Sequence, residues 1–294
     1  MVGLFLSAYI IALQSIGHNL KNMKRTVFFV SDSTGITAET LGNALLSQFE
    51  DIDYYKVTLP FIGSQDEAAE VVQQINDISM NATERPVVFS TLSDPGLYEV
   101  IRGSTALVLD LFSVFLGPLG REFKLNPSHG RGLYHGLADR AHYEVRIDAV
   151  DFALSHDDGA SIHHYERADL ILVGVSRSGK TPTSIYLAMQ FGIRTANYPL
   201  TSDDLDLCRL PEFLEPYLER LYGLTIEPQR LRQVRQTRRP NSPYASLSRC
   251  RKEVNVVEQL FKQQRIPFLD TSFISIEEIA SRIMRDSGLK RRFF

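Results

Sequence analysis

The sequence lacks tryptophan and has only two cysteines, Cys208 and Cys250, among its 294 residues. These cysteines are far apart and lack C-x-x-C spacing, so they indicate neither a disulfide framework nor a zinc site and are typical of a reducing compartment. A strong charge of either sign is also missing, since the formal net charge is −3. We therefore expect a cytoplasmic protein without a nucleic-acid partner, in which local basic groups bind any anion.

No apolar run reaches the roughly 20 residues that a spanning helix needs. The longest one, residues 2–17, is interrupted by Ser7, Gln14 and Ser15. It lacks the preceding positive charge and the small-residue cleavage site of a signal peptide. We expect residues 1–23 to be an extension outside the fold, either from a start codon upstream of Met23 or as a poorly packed helix. A membrane anchor is the alternative, although we expect no membrane partner.

The rest of the chain has a globular balance, with 44% hydrophobic and 23% charged residues. Strands alternate with helices, which predicts parallel sheets covered by helices on both faces. In the first half, strands are predicted at 26–31, 54–61, 86–90 and 106–112, helices at 36–49 and 65–80, and a loop at 117–136. In the second half, strands are predicted at 168–173, 193–198, 223–226 and 266–269, and helices at 139–155, 181–191, 228–238, 245–264 and 275–285.

The predicted fold class is α/β, with an N-terminal parallel-sheet domain and a C-terminal P-loop kinase-like domain. We place the N-terminal domain at residues 24–138, a linking helix and turn at 139–164, and the P-loop domain at 165–294. The sequence leaves open whether the protein is a monomer or a homo-oligomer.

The C-terminal domain opens on a match to G-x-x-x-x-G-K-[ST] between an apolar strand and a helix. The motif consists of Gly174, Val175, Ser176, Arg177, Ser178, Gly179, Lys180 and Thr181. Backbone N–H groups and the helix N-terminus are expected to bind phosphate oxygens there. Lys180 is predicted to neutralise the phosphates and the Thr181 hydroxyl to bind Mg²⁺. A glycine-rich turn without a ligand is the structural alternative.

A second strand-to-helix turn, residues 31–35, is rich in hydroxyl groups. Ligands of doubly wound sheets bind at such carboxyl ends of strands, so the turn is a candidate second phosphate site or target-binding site. Its candidate residues are Asp32, Ser33, Thr34 and Gly35. The alternative is simple capping of the following helix by Ser33 or Thr34.

Two further clusters have both a functional and a structural interpretation. His156, Asp157 and Asp158 precede the P-loop strand. The histidine is a candidate general base and the carboxylates are candidate metal ligands, whereas a solvated helix end is the alternative.

The basic run consists of Arg230, Arg232, Arg235, Arg238 and Arg239. It is either a solvated helix face or a lid or docking surface for an acidic partner.

Four segments in this order resemble a known family. They are VFFVSDSTGITAETLGNALLSQF (27–49), YEVRIDAVDFALSHDDG (143–159), GVSRSGKTPTSIYLAMQFGIRTANYPL (174–200) and YGLTIEPQRL (222–231). Together they are similar to the bacterial phosphoenolpyruvate synthase regulatory proteins, which belong with the pyruvate, phosphate dikinase regulatory proteins. The resemblance runs from about Arg25 to the C-terminus.

The resemblance implies a bifunctional enzyme whose nucleotide site is at residues 174–181. One implied activity is an ADP-dependent serine/threonine kinase that inactivates phosphoenolpyruvate synthase by phosphorylating a threonine. The other is a pyrophosphorylase that uses inorganic phosphate to remove this group and releases pyrophosphate. The loop sequence Ser-Arg-Ser-Gly-Lys-Thr resembles the synthase-regulating branch, whereas Ser-Arg-Thr-Ser-Lys-Thr is typical of dikinase regulators.

Other functions also fit parts of the sequence. A regulator of pyruvate, phosphate dikinase would use the same chemistry. The P-loop alone is typical of an ATP-dependent small-molecule kinase, and a nucleotide-gated binding module without transfer chemistry is a third possibility.

Overall fold

The computed structural model describes residues 25–130, 140–159, 161–240 and 242–292. Within these ranges, no helix has the length and apolar character required to cross a membrane. The chain divides into an N-terminal unit, Met1–Gly136, and a C-terminal unit, Leu137–Phe294. The expectation for residues 1–23 lies outside the described residues, as does the last part of the loop predicted at 117–136.

The N-terminal unit contains a four-stranded parallel sheet in the order β2-β1-β3-β4. Its strands are β1 (Arg25–Ser31), β2 (Tyr54–Leu59), β3 (Val87–Thr91) and β4 (Leu107–Asp110). Its helices are α1 (Ile36–Leu46), α2 (Gln65–Asn81), α3 (Pro95–Arg102) and α4 (Ser113–Phe123). The order reverses between β1 and β3, so ligand sites are expected at the carboxyl ends of these two strands.

The apolar run of β1 fills both faces of this sheet, as expected for an internal parallel strand. Phe28 and Val30 pack in the core that contains Ala68 of α2. Val27 and Phe29 face the opposite core, which contains Ala38 of α1. The two helices therefore cover opposite faces of the sheet. The carboxyl end of β1 lies at one edge of the sheet, where the turn at residues 31–35 is accessible.

The C-terminal unit repeats the same strand order in a second parallel sheet, β6-β5-β7-β8. Its strands are β5 (Leu170–Gly174), β6 (Thr195–Pro199), β7 (Leu221–Thr225) and β8 (Phe268–Asp270). Its α-helices are α5 (Arg140–Ser155), α6 (Lys180–Phe191), α7 (Ser202–Leu207), α8 (Pro228–Arg238), α9 (Leu247–Gln264) and α10 (Ile276–Asp286). Helices α6 and α10 contribute to the core on one face, and α9 contributes to the core on the other.

The predicted α/β class with two parallel-sheet domains is confirmed. The loop predicted at 117–136 is wrong at its start, because α4 extends to Phe123. Asp110 Oδ1 accepts the N–H groups of Phe112 (2.9 Å) and Ser113 (3.1 Å), and Leu116 N–H donates to the Phe112 carbonyl (2.8 Å). A carboxylate that binds the free N–H groups at a helix start thus outweighs the poor helix propensity of the following glycines and proline.

Candidate functional site

The loop between β5 and α6 requires its two motif glycines for different reasons. A Cβ atom on Gly174 would lie 2.2 Å from the Leu224 carbonyl oxygen of the neighbouring strand β7. Gly179 has φ +89° and forms the N-cap of α6 without a side-chain cap. This left-handed conformation is accessible to glycine at little cost. The sequence thus folds the loop tightly and leaves the first N–H groups of the helix without a capping side chain.

Three side chains from distant parts of the C-terminal unit fix the loop. The Arg235 guanidinium donates to the Ser176 carbonyl oxygen (3.2 Å), and the Tyr244 hydroxyl donates to Ser176 Oγ (3.0 Å). The Thr271 hydroxyl donates to the Ser178 carbonyl oxygen (3.0 Å). Because three elements contact the loop, its shape is set before a ligand arrives, which reduces the ordering cost of binding.

Lys180 is the buried cation of the loop, with 3% of its surface exposed. Its Nζ donates to the carbonyl oxygens of Gly174 (3.2 Å) and Val175 (2.9 Å). Burial lowers the pKa of Lys180 to about 8, although the carboxylates of Asp158 and Asp157 oppose this shift. A desolvated ammonium at a helix N-terminus favours an anionic ligand, since the anion restores the lost solvation of the charge.

Thr181 and Asp157 form the second polar group of the loop. The Thr181 hydroxyl donates to Asp157 Oδ1 (2.7 Å), which also accepts from the Asn197 side-chain amide. The side-chain oxygen of Asn197, Oδ1, accepts the N–H of Asp158 (3.0 Å), whose backbone is left-handed with φ 49°. A hydroxyl next to a carboxylate is the oxygen donor set that P-loop proteins use to bind Mg²⁺.

No group of three or more His, Cys, Asp or Glu side chains is arranged to hold a metal ion in the ranges that the structure covers. The Thr181 hydroxyl and the Asp157 carboxylate could hold a cation. Mg²⁺ usually keeps several waters and binds proteins through one or two carboxylates together with substrate phosphates.

His156 does not fit the predicted general base. It is 6% exposed and stacks on Phe152, with ring centroids 4.0 Å apart. Nδ1 lies 2.7 Å from the Phe152 carbonyl oxygen and Nε2 lies 2.8 Å from the His163 carbonyl oxygen. Both ring nitrogens are thus committed to backbone oxygens, so neither is left to accept a substrate proton. We correct its role to a structural one, in which it fixes the turn that carries Asp157.

The basic run separates into two kinds of arginine. Arg230, Arg232, Arg238 and Arg239 are exposed, whereas Arg235 is fully buried. Besides Ser176, the Arg235 guanidinium contacts the Glu253 carboxylate (2.6 Å) and lies 4.0 Å from the centroid of the Tyr244 ring. Arg235 therefore lies neither on a solvated helix face nor on a docking surface. The sequence could have indicated the burial of Arg235 through its helical spacing from Leu231, which is also completely buried.

The turn at residues 31–35 lines a separate cavity of about 420 Å³ within the N-terminal unit. Asp32, Ser33, Thr34 and Gly35 all lie on its wall. Neither Ser33 nor Thr34 caps α1, because the N-cap is Gly35 and no side-chain cap is present. The cavity also contains Thr91, Ser93 and His129, which the sequence analysis did not assign to a site. Only the position of Thr91 directly after the strand predicted at 86–90 could have indicated this group.

Taken together, the two parallel sheets define a two-unit α/β protein with a kinase-like fold, and its C-terminal unit carries the lysine-containing loop between β5 and α6. The chain belongs to the kinase/pyrophosphorylase family, whose sequence profile matches residues 27–284. It is therefore a phosphotransferase, and the resemblance found in the sequence is confirmed.

Curated relatives match almost the whole chain. A phosphoenolpyruvate synthase regulatory protein of Marinobacter nauticus is 50% identical over 269 residues, covering 92% of this chain and 99% of the relative. Proteins of the same name from Legionella pneumophila (strain Corby) and Pseudomonas putida (strain GB-1) are 50% and 49% identical, covering 92% of this chain and 100% of each relative. A solved allantoin racemase from Klebsiella pneumoniae aligns at 12% identity over 91% of this chain and 90% of its own, but its TM-score of 0.21 carries no argument.

Proposed function

We propose that this protein regulates phosphoenolpyruvate synthase by reversible phosphorylation of a threonine. In the inactivating direction, the threonine Oγ attacks the β-phosphorus of ADP, the bond to the α-phosphate oxygen breaks, and AMP leaves. In the reactivating direction, an oxygen of inorganic phosphate attacks the phosphothreonine phosphorus, giving pyrophosphate and free threonine. The family and the names of the relatives support the target and the reaction class.

The observation that carries the proposal is the buried ammonium of Lys180 at the N-terminus of α6. Phosphoryl transfer depends mainly on positioning and on neutralising charge at the phosphoryl oxygens. With ADP as donor, the transferred group is the terminal β-phosphoryl, which a P-loop contacts directly. The donor therefore requires no additional γ-phosphate site.

We assign Mg²⁺ to the contact between Thr181 and Asp157, where it would neutralise phosphate charge. Asp157 Oδ1 already lies within hydrogen-bonding distance of the Thr181 hydroxyl, so little rearrangement is needed. Asp158 lies on the same turn and stabilises the charged form of Lys180. It is the remaining candidate for accepting the threonine proton.

The proposal is tested with the full-length chain and purified phosphoenolpyruvate synthase. We expect ADP to place one phosphoryl group on a synthase threonine, detected by mass spectrometry, and added phosphate to remove it with release of pyrophosphate. Phosphorylation of a small metabolite by ATP, with an unmodified synthase, would instead identify a small-molecule kinase. Nucleotide binding without any phosphorylated product would identify a binding module.

The Asp157→Asn variant is expected to require at least about tenfold more Mg²⁺ for half-maximal kinase activity. Removing one full charge a few ångströms from the cation costs about 1–4 kcal/mol. The asparagine oxygen still accepts from Thr181, but the lost charge no longer stabilises the buried Lys180 ammonium, so we expect a slightly lower melting temperature. Asp206→Asn is the matched control, because Asp206 is an acid of the same unit that pairs with Lys252 at the surface. An unchanged Mg²⁺ requirement in Asp157→Asn would remove Asp157 from the cation site.

A further inference from the structure

Phe273 is the most exposed large apolar side chain among the described residues, with 84% of its surface accessible to solvent. It lies between strand β8 and helix α10, at the carboxyl end of the sheet that also carries the loop between β5 and α6. A single exposed apolar residue on a surface needs no explanation. An exposed aromatic ring beside a candidate ligand site is different, because it offers a large flat contact at little entropic cost.

The fold holds this ring in solvent through the residues on either side of it. Ser272 is only 8% exposed, and its Oγ accepts the Glu227 N–H (2.7 Å). Ile274 packs against the core to which α6 and α10 contribute, and Ser275 then caps α10. Because both neighbours of Phe273 are anchored, its exposure is set by a fixed backbone rather than by a loose turn.

A hydrogen bond ties this turn to the loop between β5 and α6. The Thr271 hydroxyl, which donates to the Ser178 carbonyl oxygen, also lies 3.0 Å from the Thr225 carbonyl oxygen at the end of β7. Phe273 is two residues further along, so its Cα lies at most about 7 Å from that of Thr271. The ring is therefore attached directly next to the loop that contains Lys180.

The two sides of this loop are chemically different. Asn197 of β6 and the Thr181 hydroxyl both bind Asp157, so the polar groups assigned to the cation lie towards β6. Strands β7 and β8 lie on the other side of β5, and β8 is two strand spacings, about 10 Å, away from it. This second side carries the exposed ring of Phe273.

The proposed reaction requires the nucleoside and the protein substrate to occupy different sides of the transferred group. In phosphoryl transfer the attacking and leaving oxygens are roughly in line with the phosphorus between them. The threonine that attacks the β-phosphorus of ADP therefore lies opposite the AMP that leaves. With Asp157 and Asp158 on the side of the attacking threonine, the nucleoside extends towards β7 and β8.

We propose that Phe273 stacks on the base of the bound nucleotide and so forms the base-binding contact for ADP. This inference rests on the proposed function, since it takes the loop between β5 and α6 as the phosphate site. The loop recognises phosphate charge through Lys180 and backbone N–H groups, whereas the ring of Phe273 recognises the flat face of the base. Stacking of this kind tolerates any base, so Phe273 supplies affinity rather than a choice among bases.

A tryptophan substitution provides a direct probe, because the chain contains no other tryptophan. In the full-length Phe273→Trp variant, we expect ADP to quench the fluorescence of the single indole by stacking on it. Saturating inorganic pyrophosphate, which has no base, should leave the fluorescence unchanged. Tyr143→Trp is the matched control, since Tyr143 is an exposed aromatic residue of the same unit at the start of α5. Its fluorescence should not respond to either ligand.

Phe273→Ala removes the stacking face at a position where little packing is lost. Calorimetric titration should show a Kd for ADP that rises about tenfold, as expected for the loss of one base–aromatic stack. The Kd for pyrophosphate and the melting temperature should stay the same. Tyr143→Ala should change neither Kd.

ADP binding without quenching in Phe273→Trp, or an unchanged Kd for ADP in Phe273→Ala, would overturn this assignment. A raised KM for the synthase at an unchanged Kd for ADP would also overturn it and place Phe273 in the contact with the protein target. Synthase phosphorylation is measured in parallel on the unsubstituted chain. ADP binding that depends on Phe273, without phosphothreonine on the synthase, would refute the proposed transfer and not the base contact. A chain that binds neither ADP nor pyrophosphate would refute both.

Discussion

The Lys180→Met variant is expected to lose phosphoryl transfer by a factor of about 10³ while the fold remains at least as stable. Removing one preorganised donor to transition-state oxygens typically costs about 10²–10³ in rate, and here a full charge is lost as well. Methionine fills a similar volume, so the packing around α6 is retained. The measurement is the single-turnover rate with ADP and phosphoenolpyruvate synthase, together with the melting temperature.

The stability part of this expectation follows from the pKa of Lys180, which burial lowers from 10.5 to about 8. Below pH 8 the ammonium is charged in both states, so the folded protein bears the whole cost of burying it, on the order of 3 kcal/mol. Between pH 8 and 10.5 the unfolded chain binds more protons, so stability rises with pH. The Lys180→Met substitution removes both the free-energy cost of burying the ammonium and the rise of stability with pH. The melting temperature of this variant at pH 7 should therefore be unchanged or higher.

Lys252→Met is the matched control, because Lys252 is an exposed lysine of the same unit that pairs with Asp206. It should retain the transfer rate. A folded Lys180→Met variant with a nearly normal rate would contradict the assignment of the loop. A strongly lowered melting temperature would instead show that Lys180 is needed for the fold.

The strand–loop–helix at residues 170–191 could be predicted from the sequence because its signals are local. An apolar strand, two glycines at fixed spacing and a helix start lie within a few residues of each other. Asp157 was a candidate for the same reason, since two carboxylates close to the loop indicate a cation site. His156 was misassigned because a sequence does not show that the two carbonyl oxygens at its ring nitrogens belong to Phe152 and His163.

The helices missed by the sequence analysis were marked by capping residues rather than by periodicity. Helix α3 is too short for a clear apolar period, yet Asp94 accepts from Gly96 N–H (2.7 Å) and Pro95 opens the helix. This pairing of an N-cap aspartate with a following proline is a recognised start signal. Helix α7 likewise begins at a capping box between Thr201 and Asp204. Short helices are therefore better predicted from their first turn.

Arg235 shows what the sequence could not supply. In a run of arginines it resembles its exposed neighbours, and its partners Glu253 and Ser176 are 18 and 59 residues away. Long-range pairing of this kind is set by the packing of α8 against α9 and is not encoded in any local pattern. The consequence is that a residue of an apparently solvated helix face holds the loop between β5 and α6 through the Ser176 carbonyl oxygen.

Arg235→Met is therefore expected to have two separable effects. The Glu253 carboxylate loses its buried partner but keeps its ion pair with Arg249 (2.7 Å), so the substitution should cost about 1–3 kcal/mol of folding free energy. The Ser176 carbonyl oxygen loses its donor, so the loop is less well positioned and the KM for ADP should rise at least about tenfold. Chemical denaturation and steady-state kinetics measure the two effects independently.

The double variant Arg235→Met/Glu253→Met separates positioning from stability. Replacing both members of a buried ion pair by apolar side chains is often neutral, so most of the lost stability should return. The KM for ADP should stay high, because no other side chain in this variant takes the place of the guanidinium as donor to the Ser176 carbonyl oxygen. Tyr244→Phe provides an independent check, since it removes only the hydroxyl that binds Ser176 Oγ and should raise the KM at an unchanged melting temperature. If the KM for ADP instead recovers together with stability in the double variant, Arg235 acts only through the fold and does not position the loop.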